Sequence, residues 1–151
     1  MKFRDLPNQE AILRLTAYAF VRDGADESVF KFHRSIAPAY EFYNNQRAKI
    51  IAKHGEKDDK GGYTVASEKK DACISELNML IDSDVGFQVE VLDLSESDFG
   101  SSQCRKPSDV SLLLSSAEKE AILRLSEIIS KEHKIEKLNE IKAEIEGSTA
   151  P

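Results

Sequence analysis

The sequence predicts a mainly helical α+β protein with four to five helices, a small two-stranded antiparallel sheet and a long C-terminal helix. Three observations favour this fold class. Apolar residues recur at helical spacing over most of the chain, two short segments have strand character, and one amphipathic pattern covers residues 110–146. With 151 residues, 40% of them hydrophobic and 32% charged, the chain suits one modest core under a well-solvated surface.

Two helices are predicted in the first 55 residues. Pro7 suits a first helical turn, and Gly24 ends the apolar pattern that follows, which consists of Ile12, Leu15, Thr16, Ala19 and Phe20. Asp26 is a candidate cap for the second helix, which ends near His54. Its apolar stripe consists of Phe32, Ile36, Tyr40, Tyr43 and Ile50. Because proline removes a backbone donor, Pro38 predicts either a kink near residues 34–38 or two helices that meet there.

The small sheet is predicted from two segments on either side of a third helix. Residues 56–62 are typical of a turn, and residues 63–65 are β-branched enough to form a strand. Ser67 is a candidate cap for the third helix, Gly86 ends it, and its apolar face consists of Cys73, Leu77, Leu80 and Ile81. Apolar and polar residues alternate over residues 87–91, which we therefore expect to pair with residues 63–65.

The second half of the chain is predicted to separate into a linker and a long helix. Residues 1–94 would form the helical core with its sheet, and residues 95–109, rich in Ser, Asp and Gly, would form the linker. The long helix would cover residues 110–146, with a capping box at its start made by Ser115 and Glu118. Residues 147–151 are predicted to be a disordered tail.

The long helix changes character along its length. Its apolar face is broad up to Ile129 and narrow beyond Ser130. A narrow apolar stripe between mixed charges is typical of a seam between two helices. The residues predicted for this interaction seam are Ile128, Ile135, Leu138, Ile141 and Ile145. The sequence leaves open whether the stripe self-associates or binds a protein partner, or instead packs on the second helix of its own chain.

Composition restricts the class of function. The formal net charge of -6 disfavours direct nucleic-acid binding, and the interleaved Lys and Glu residues near the C-terminus argue against a nucleic-acid mimic. Two cysteines and three histidines are too few for a disulfide framework or a usual zinc site. The first residues are charged where a signal peptide is apolar, and no stretch approaches the roughly 20 apolar residues of a membrane span. We expect a cytoplasmic protein without a metal or another cofactor.

One helix face carries residue types that can hold a small ligand. Tyr40, Tyr43 and Arg47 lie at positions i, i+3 and i+7 of the second helix, hence on one face. Two phenol rings beside a guanidinium can stack a base and hold an anionic group. Core packing of both tyrosines, with the arginine extending into solvent, explains the pattern equally well.

Other polar clusters have a structural explanation. The most polar one follows the second helix and consists of His54, Glu56, Asp58 and Asp59. Its spacing matches neither a calcium-binding loop nor a zinc motif, which favours a helix end followed by a solvated turn. His33 and His133 also lack ligand spacing. Cys104 beside Arg105 is a candidate nucleophile without an identifiable base. No catalytic motif is present, and we predict no catalytic residue.

The middle of the chain resembles a known family. The run QRAKIIAKHGEKDDKGGYTV, followed by a helix and then by FQVEVLDLSESDF, resembles a family of small uncharacterised bacteriophage proteins. Those proteins share a charged helix that ends in a YGEKDEDG-like turn, then a short helix, an acidic alternating strand and a final helix. The likeness covers residues 47–125; the chain departs from it at His54, in place of an aromatic residue, and in its longer C-terminal helix. The resemblance implies a phage or prophage origin and transfers no active site.

These observations predict a non-enzymatic phage accessory protein that acts in the host cytoplasm by binding a host or viral protein, with inhibition of host defence as one such activity. The alternative is a protein that sequesters a nucleotide-like ligand with Tyr40, Tyr43 and Arg47. A metal-dependent hydrolase that uses His54 and Asp58 is a second, less favoured alternative.

Overall fold

A computed structural model describes residues 1–148 and confirms the predicted fold class, mainly helical α+β with a long C-terminal helix. The four α-helices within these residues are α1 (Gln9–Leu15), α2 (Ala25–His54), α3 (Lys70–Ile81) and α4 (Ser116–Ser148). The strands are β1 (Ala19–Phe20), β2 (Gly55–Lys57), β3 (Tyr63–Val65) and β4 (Cys104–Arg105). They form two separate antiparallel pairs, β1 with β4 and β2 with β3. Of the predicted disordered tail, residues 149–151 lie outside the described residues.

The first helix is shorter than predicted. The Asn8 side chain caps α1 by accepting a hydrogen bond from the Glu10 backbone N–H, and the helix ends at Leu15. Ala19 and Phe20, which were predicted to continue this helix, form β1 instead. The Phe20 ring packs edge-on against the Phe99 ring, with 5.5 Å between the ring centroids. Burial of the Phe20 ring has therefore outweighed the helical spacing of residues 12–20.

The second helix is continuous. Gly24, whose φ of 83° suits glycine, precedes α2, and the helix runs through Pro38 to His54. Two alternative outcomes were predicted at Pro38, and the prediction of two separate helices is wrong. Proline costs the helix one backbone hydrogen bond, but Phe32 and Ile36 in the two preceding turns are almost completely buried, and their packing stabilises the helix across that point.

The predicted strand pairing is wrong. Strand β3 pairs with β2, so that Glu56 lies opposite Thr64, and residues 87–91 form no strand. The Asp58 side chain caps the connecting turn by accepting hydrogen bonds from the backbone N–H groups of Lys60 and Gly62, each at 2.9 Å. A hairpin closes a much shorter loop than a pairing across α3, and its entropic cost is correspondingly lower.

Residues 88–94 lie along α2 without regular secondary structure. Two α2 serines hold this segment: Ser35 Oγ accepts a hydrogen bond from the Glu90 backbone N–H, and Ser28 Oγ accepts one from that of Asp93. Three residues of this segment are buried, Val89, Leu92 and Leu94, as is Val85 just before it. Of the apolar residues whose alternation predicted a strand, Val89 is buried, Val91 is partly buried and Phe87 is exposed, so the alternation does not describe how this segment packs.

Residues 95–109, predicted as a linker, belong to the folded body. This segment contains β4, which pairs with β1 and buries Cys104. The predicted boundary before the long helix is also absent, because Ile122, Leu125 and Ile129 of α4 are at most 2% exposed in the same core as α2. Serine and aspartate in this segment supply caps and hydrogen bonds rather than flexibility.

Both ends of α3 differ from the prediction. A 3₁₀ turn at Ser67–Lys69 precedes it, Ser67 does not cap it, and it ends at Ile81, before Gly86. Cys73 is buried on its inner face, as predicted. No helix among the described residues has the length and apolar character needed to cross a bilayer.

Candidate interaction surface on the C-terminal helix

The first half of α4 is anchored to the body along one face. The predicted capping box is present: Ser115 Oγ accepts a hydrogen bond from the Glu118 N–H at 3.1 Å, and the Glu118 carboxylate accepts one from the Ser115 N–H at 2.9 Å. Further along, Ser126 Oγ donates to the Leu92 carbonyl, and His133 Nε2 lies 2.8 Å from the Val89 carbonyl. These contacts define the side of α4 that faces the body.

The apolar residues of the second half lie on the opposite side of the helix. Their exposed fractions are 57% for Ile135, 65% for Leu138, 50% for Ile141 and 58% for Ile145. We call these four residues the stripe. At about 100° per residue, the mean direction of the stripe lies roughly 180° from that of the buried Ile122, Leu125 and Ile129. The apolar face of α4 thus changes sides between Ile129 and Ile135.

This change of side excludes one sequence-based interpretation. The stripe does not pack on α2 of its own chain, because it faces away from the body. Ile128, predicted as part of the same seam, is partly buried and lies where the two apolar faces meet. Residues 134–147, which we call the arm, are all exposed and extend the helix by about 20 Å.

Charges on residues 131–147, the arm and the three residues before it, are also distributed by face. Three lysines that are three or four residues from members of the stripe, Lys131, Lys134 and Lys142, fall within roughly 50° of its mean direction. The fourth lysine of this range, Lys137, and its five glutamates lie more than roughly 80° away; the glutamates are Glu132, Glu136, Glu140, Glu144 and Glu146. Within residues 1–148 none of the three lysines forms an ion pair. The stripe side of the arm is therefore apolar and basic.

The structure does not assemble the predicted ligand site on α2. Tyr40 is buried, and its hydroxyl donates a 2.6 Å hydrogen bond to the Pro7 carbonyl. Burial raises the pKa of this phenol. The Tyr43 ring lies 5.5 Å from that of Phe3, and both tyrosines border a groove that Arg47, an exposed residue, does not line. Tyr40 and Tyr43 thus serve to attach the N-terminal segment to α2.

Tyr40→Phe tests this structural role. The substitution removes the hydroxyl and leaves the Pro7 carbonyl without its donor, so we expect it to lower the free energy of unfolding by about 1 kcal/mol. Chemical denaturation of both proteins measures the difference. Arg47→Ala, at an exposed position on the same helix, is the control and is expected to change stability by less than about 0.5 kcal/mol. Equal effects of the two substitutions would contradict the assignment.

The polar cluster after α2 is divided among structural contacts. His54 Nε2 lies 2.5 Å from one Glu76 carboxylate oxygen, and Lys53 Nζ lies 2.6 Å from the other. Two hydrogen bonds lower the pKa of Glu76, and the one from Lys53 has a larger effect than the one from His54. Asp58 is engaged in the β2–β3 turn. Among residues 1–148, no three or more His, Cys, Asp or Glu side chains are grouped as a metal site would require.

The cysteines lie in protected positions. Cys104, predicted to lie in the linker beside Arg105, is a buried free thiol in β4, opposite Phe20. Cys73 is likewise a buried free thiol, in α3. The two β4 residues alternate, so Cys104 faces the core while Arg105 is exposed.

Sequence reasoning missed one ionic network. Both Arg22 guanidinium edges engage carboxylates: Nε and Nη2 lie 2.8 and 3.0 Å from the two oxygens of Asp98, and Nη1 lies 3.0 Å from Asp93. Asp98 is 3% exposed and also accepts a hydrogen bond from the Ser95 backbone N–H. The arginine and its buried partner are 76 residues apart, and no local pattern links them. The network fixes the connection before β4 to the start of α2.

The chain matches no protein-family model, no curated protein sequence and no solved structure. The resemblance to small bacteriophage proteins therefore stays a prediction from the sequence. The feature of the structure that bears on function is the geometry of α4.

Proposed function

We propose that this protein is a non-enzymatic binding protein that docks on another protein through the stripe of its α4 arm. The observation that carries the proposal is the change of side of the apolar face along α4. An amphipathic helix normally keeps its apolar residues toward the body that it covers. Here the arm directs four large aliphatic side chains away from the body, where another chain can cover them.

Covering the stripe would contribute favourable free energy to a contact with another chain. Complete burial of one Leu or Ile side chain stabilises a contact by about 1.5–3 kcal/mol relative to its exposed state. The stripe residues follow spacings of three and four, the arrangement by which a helix fills an apolar groove or pairs with a second helix. An arm of this length fits either mode.

The biological setting belongs to the same proposal. Its partner is a host or viral protein, and inhibition of host defence is one outcome of such binding; the bacteriophage resemblance alone supports this part. The nucleotide-like ligand and the metal-dependent hydrolase are not carried forward, because Tyr40, His54 and Asp58 each have a structural partner.

Site-specific photo-cross-linking tests the docking surface. A photoreactive phenylalanine analogue at Leu138 is expected to give a discrete cross-linked product in the cells that natively make the protein. The same analogue at Glu140, exposed on the opposite side of the arm, is the matched control and is expected to give none. A product common to both positions, or no product at Leu138, would overturn the proposal. Mass spectrometry of the product separates a second copy from a different protein.

A further inference from the structure

We propose that the surface bound by the arm is itself acidic and apolar: a helix or groove of another protein in which Asp and Glu side chains lie between aliphatic ones. This inference rests on the proposed function and specifies the chemistry of its partner. Three observations carry it, namely the apolar stripe, the lysines interspersed with it, and the location of the glutamates on the other faces.

The three lysines lie inside the contact area rather than at its margin. Lys134 is four residues before Leu138 and Lys142 four residues after it, so both ammonium groups lie over the same helix surface as the stripe. Any chain that covers Leu138 also approaches these charges. A partner with carboxylates at these points gains ion pairs in a partly desolvated contact, whereas a neutral or basic partner leaves buried cations without counter-charges.

A second copy of the chain is a poor fit to this surface. Pairing two arms in parallel places Lys134 beside its counterpart, and an antiparallel pairing centred on Leu138 brings Lys134 of one copy toward Lys142 of the other. In either direction six ammonium groups share one narrow seam. Like charges that face each other across an interface oppose association, so charge complementarity favours a different, acidic protein.

A lipid surface is also a poorer fit. An anionic bilayer would attract the lysines, but four glutamates occupy the remaining faces of the arm and would lie at the headgroup level. The arm has no Trp, Tyr or Phe to anchor it at the interface, and the net charge of the chain is -6. In a contact between two proteins only the facing side of the helix is covered, and the glutamates stay in water.

Two probe peptides test the inference on the full-length protein. Both are three-heptad helices with the same Leu and Ile seam; one carries Glu and the other Lys at the flanking positions. Fluorescence anisotropy is expected to show at least about ten-fold tighter binding of the Glu peptide, with a preference that decreases as salt is added. Lys134→Glu is expected to weaken binding of the Glu peptide about three-fold or more. Lys49→Glu, the same charge change at an exposed position of α2, should leave that affinity unchanged.

The outcomes separate this inference from the proposed function. The two peptides could bind equally tightly, with Leu138→Asp abolishing both interactions. That result would overturn the inference of an acidic partner but would still support docking through the stripe. If neither peptide binds, the inference fails, and the photo-cross-link at Leu138 then decides the proposed function independently. Two further results would replace the acidic protein by another occupant: a dimeric mass in light scattering that Leu138→Asp abolishes, or binding to equimolar phosphatidylserine and phosphatidylcholine vesicles as tight as to the Glu peptide.

Discussion

Leu125→Ala is expected to lower the free energy of unfolding by about 2–5 kcal/mol, whereas Leu138→Ala in the same helix is expected to change it by less than about 0.5 kcal/mol. Leu125 is completely buried, and its truncation removes apolar contacts and leaves a cavity. Leu138 is 65% exposed, and its side chain gives the folded state little that the unfolded state lacks. Chemical denaturation followed by far-ultraviolet circular dichroism measures both values.

The pair of substitutions is its own control. Leu→Ala changes helix propensity by the same small amount at both positions, so the difference between the two results isolates burial. A cost at Leu138 that equals the cost at Leu125 would mean that the arm packs on the body, and the exposed stripe would then be contradicted. The expected contrast would show that residues on one continuous helix serve two purposes, the core in the first half and the binding surface in the second.

Arg22→Met is expected to destabilise the protein by about 3 kcal/mol at neutral pH. The substitution keeps an apolar stem but removes the guanidinium from the Asp98 carboxylate, which is 3% exposed and would remain as an uncompensated buried charge. Asp93→Asn is the control. The Asp93 side chain is 70% exposed, and loss of its ion pair is expected to cost less than about 1 kcal/mol.

The Arg22 effect depends on pH with a defined sign. The Arg22 hydrogen bond holds the pKa of Asp98 below its ordinary value, more strongly than burial raises it. The contribution of Asp98 to stability is therefore present above its unfolded-state pKa of about 3.9 and is lost as the pH falls through the lower folded-state pKa. In Arg22→Met the carboxyl keeps its burial but loses the hydrogen bond that lowers its pKa, so Asp98 takes up its proton at a higher pH than in the original protein and the difference in stability should shrink as the pH falls. A difference that is constant down to about pH 3 would show that the carboxylate is not its cause.

Local signals account for the parts of the fold that the sequence predicted well. The α4 capping box involves two residues three apart, and its hydrogen bonds form as the spacing of Ser115 and Glu118 indicates. The end of α2 at His54 follows from the next residue, a glycine, and from the turn after it. Each of these features depends on residues within one or two turns, where local chemistry decides the conformation.

The errors occurred where distant segments compete. Residues 87–91 alternate as a strand does, but the serines of α2 hold that region against helices. Residues 95–109 have the composition of a linker, yet their Asp98 is the buried partner of Arg22. Composition records which groups are polar; it does not record that a polar group has a partner 76 residues away. For the candidate ligand residues on α2 the sequence likewise leaves two explanations open, since only the tertiary structure shows that the Tyr40 hydroxyl donates to the Pro7 carbonyl.

The sequence by itself determined the helical class of this protein, the end of α2, the capping box of α4 and the two apolar faces of α4, because capping chemistry and the 3.6-residue period are properties of short segments. Only the tertiary structure decided which of those faces is covered. The side of a helix that meets the core depends on distant groups such as the Leu92 and Val89 carbonyls, which bind Ser126 and His133. Once these contacts place one face against the body, the rigidity of the helix directs the stripe and its lysines into solvent.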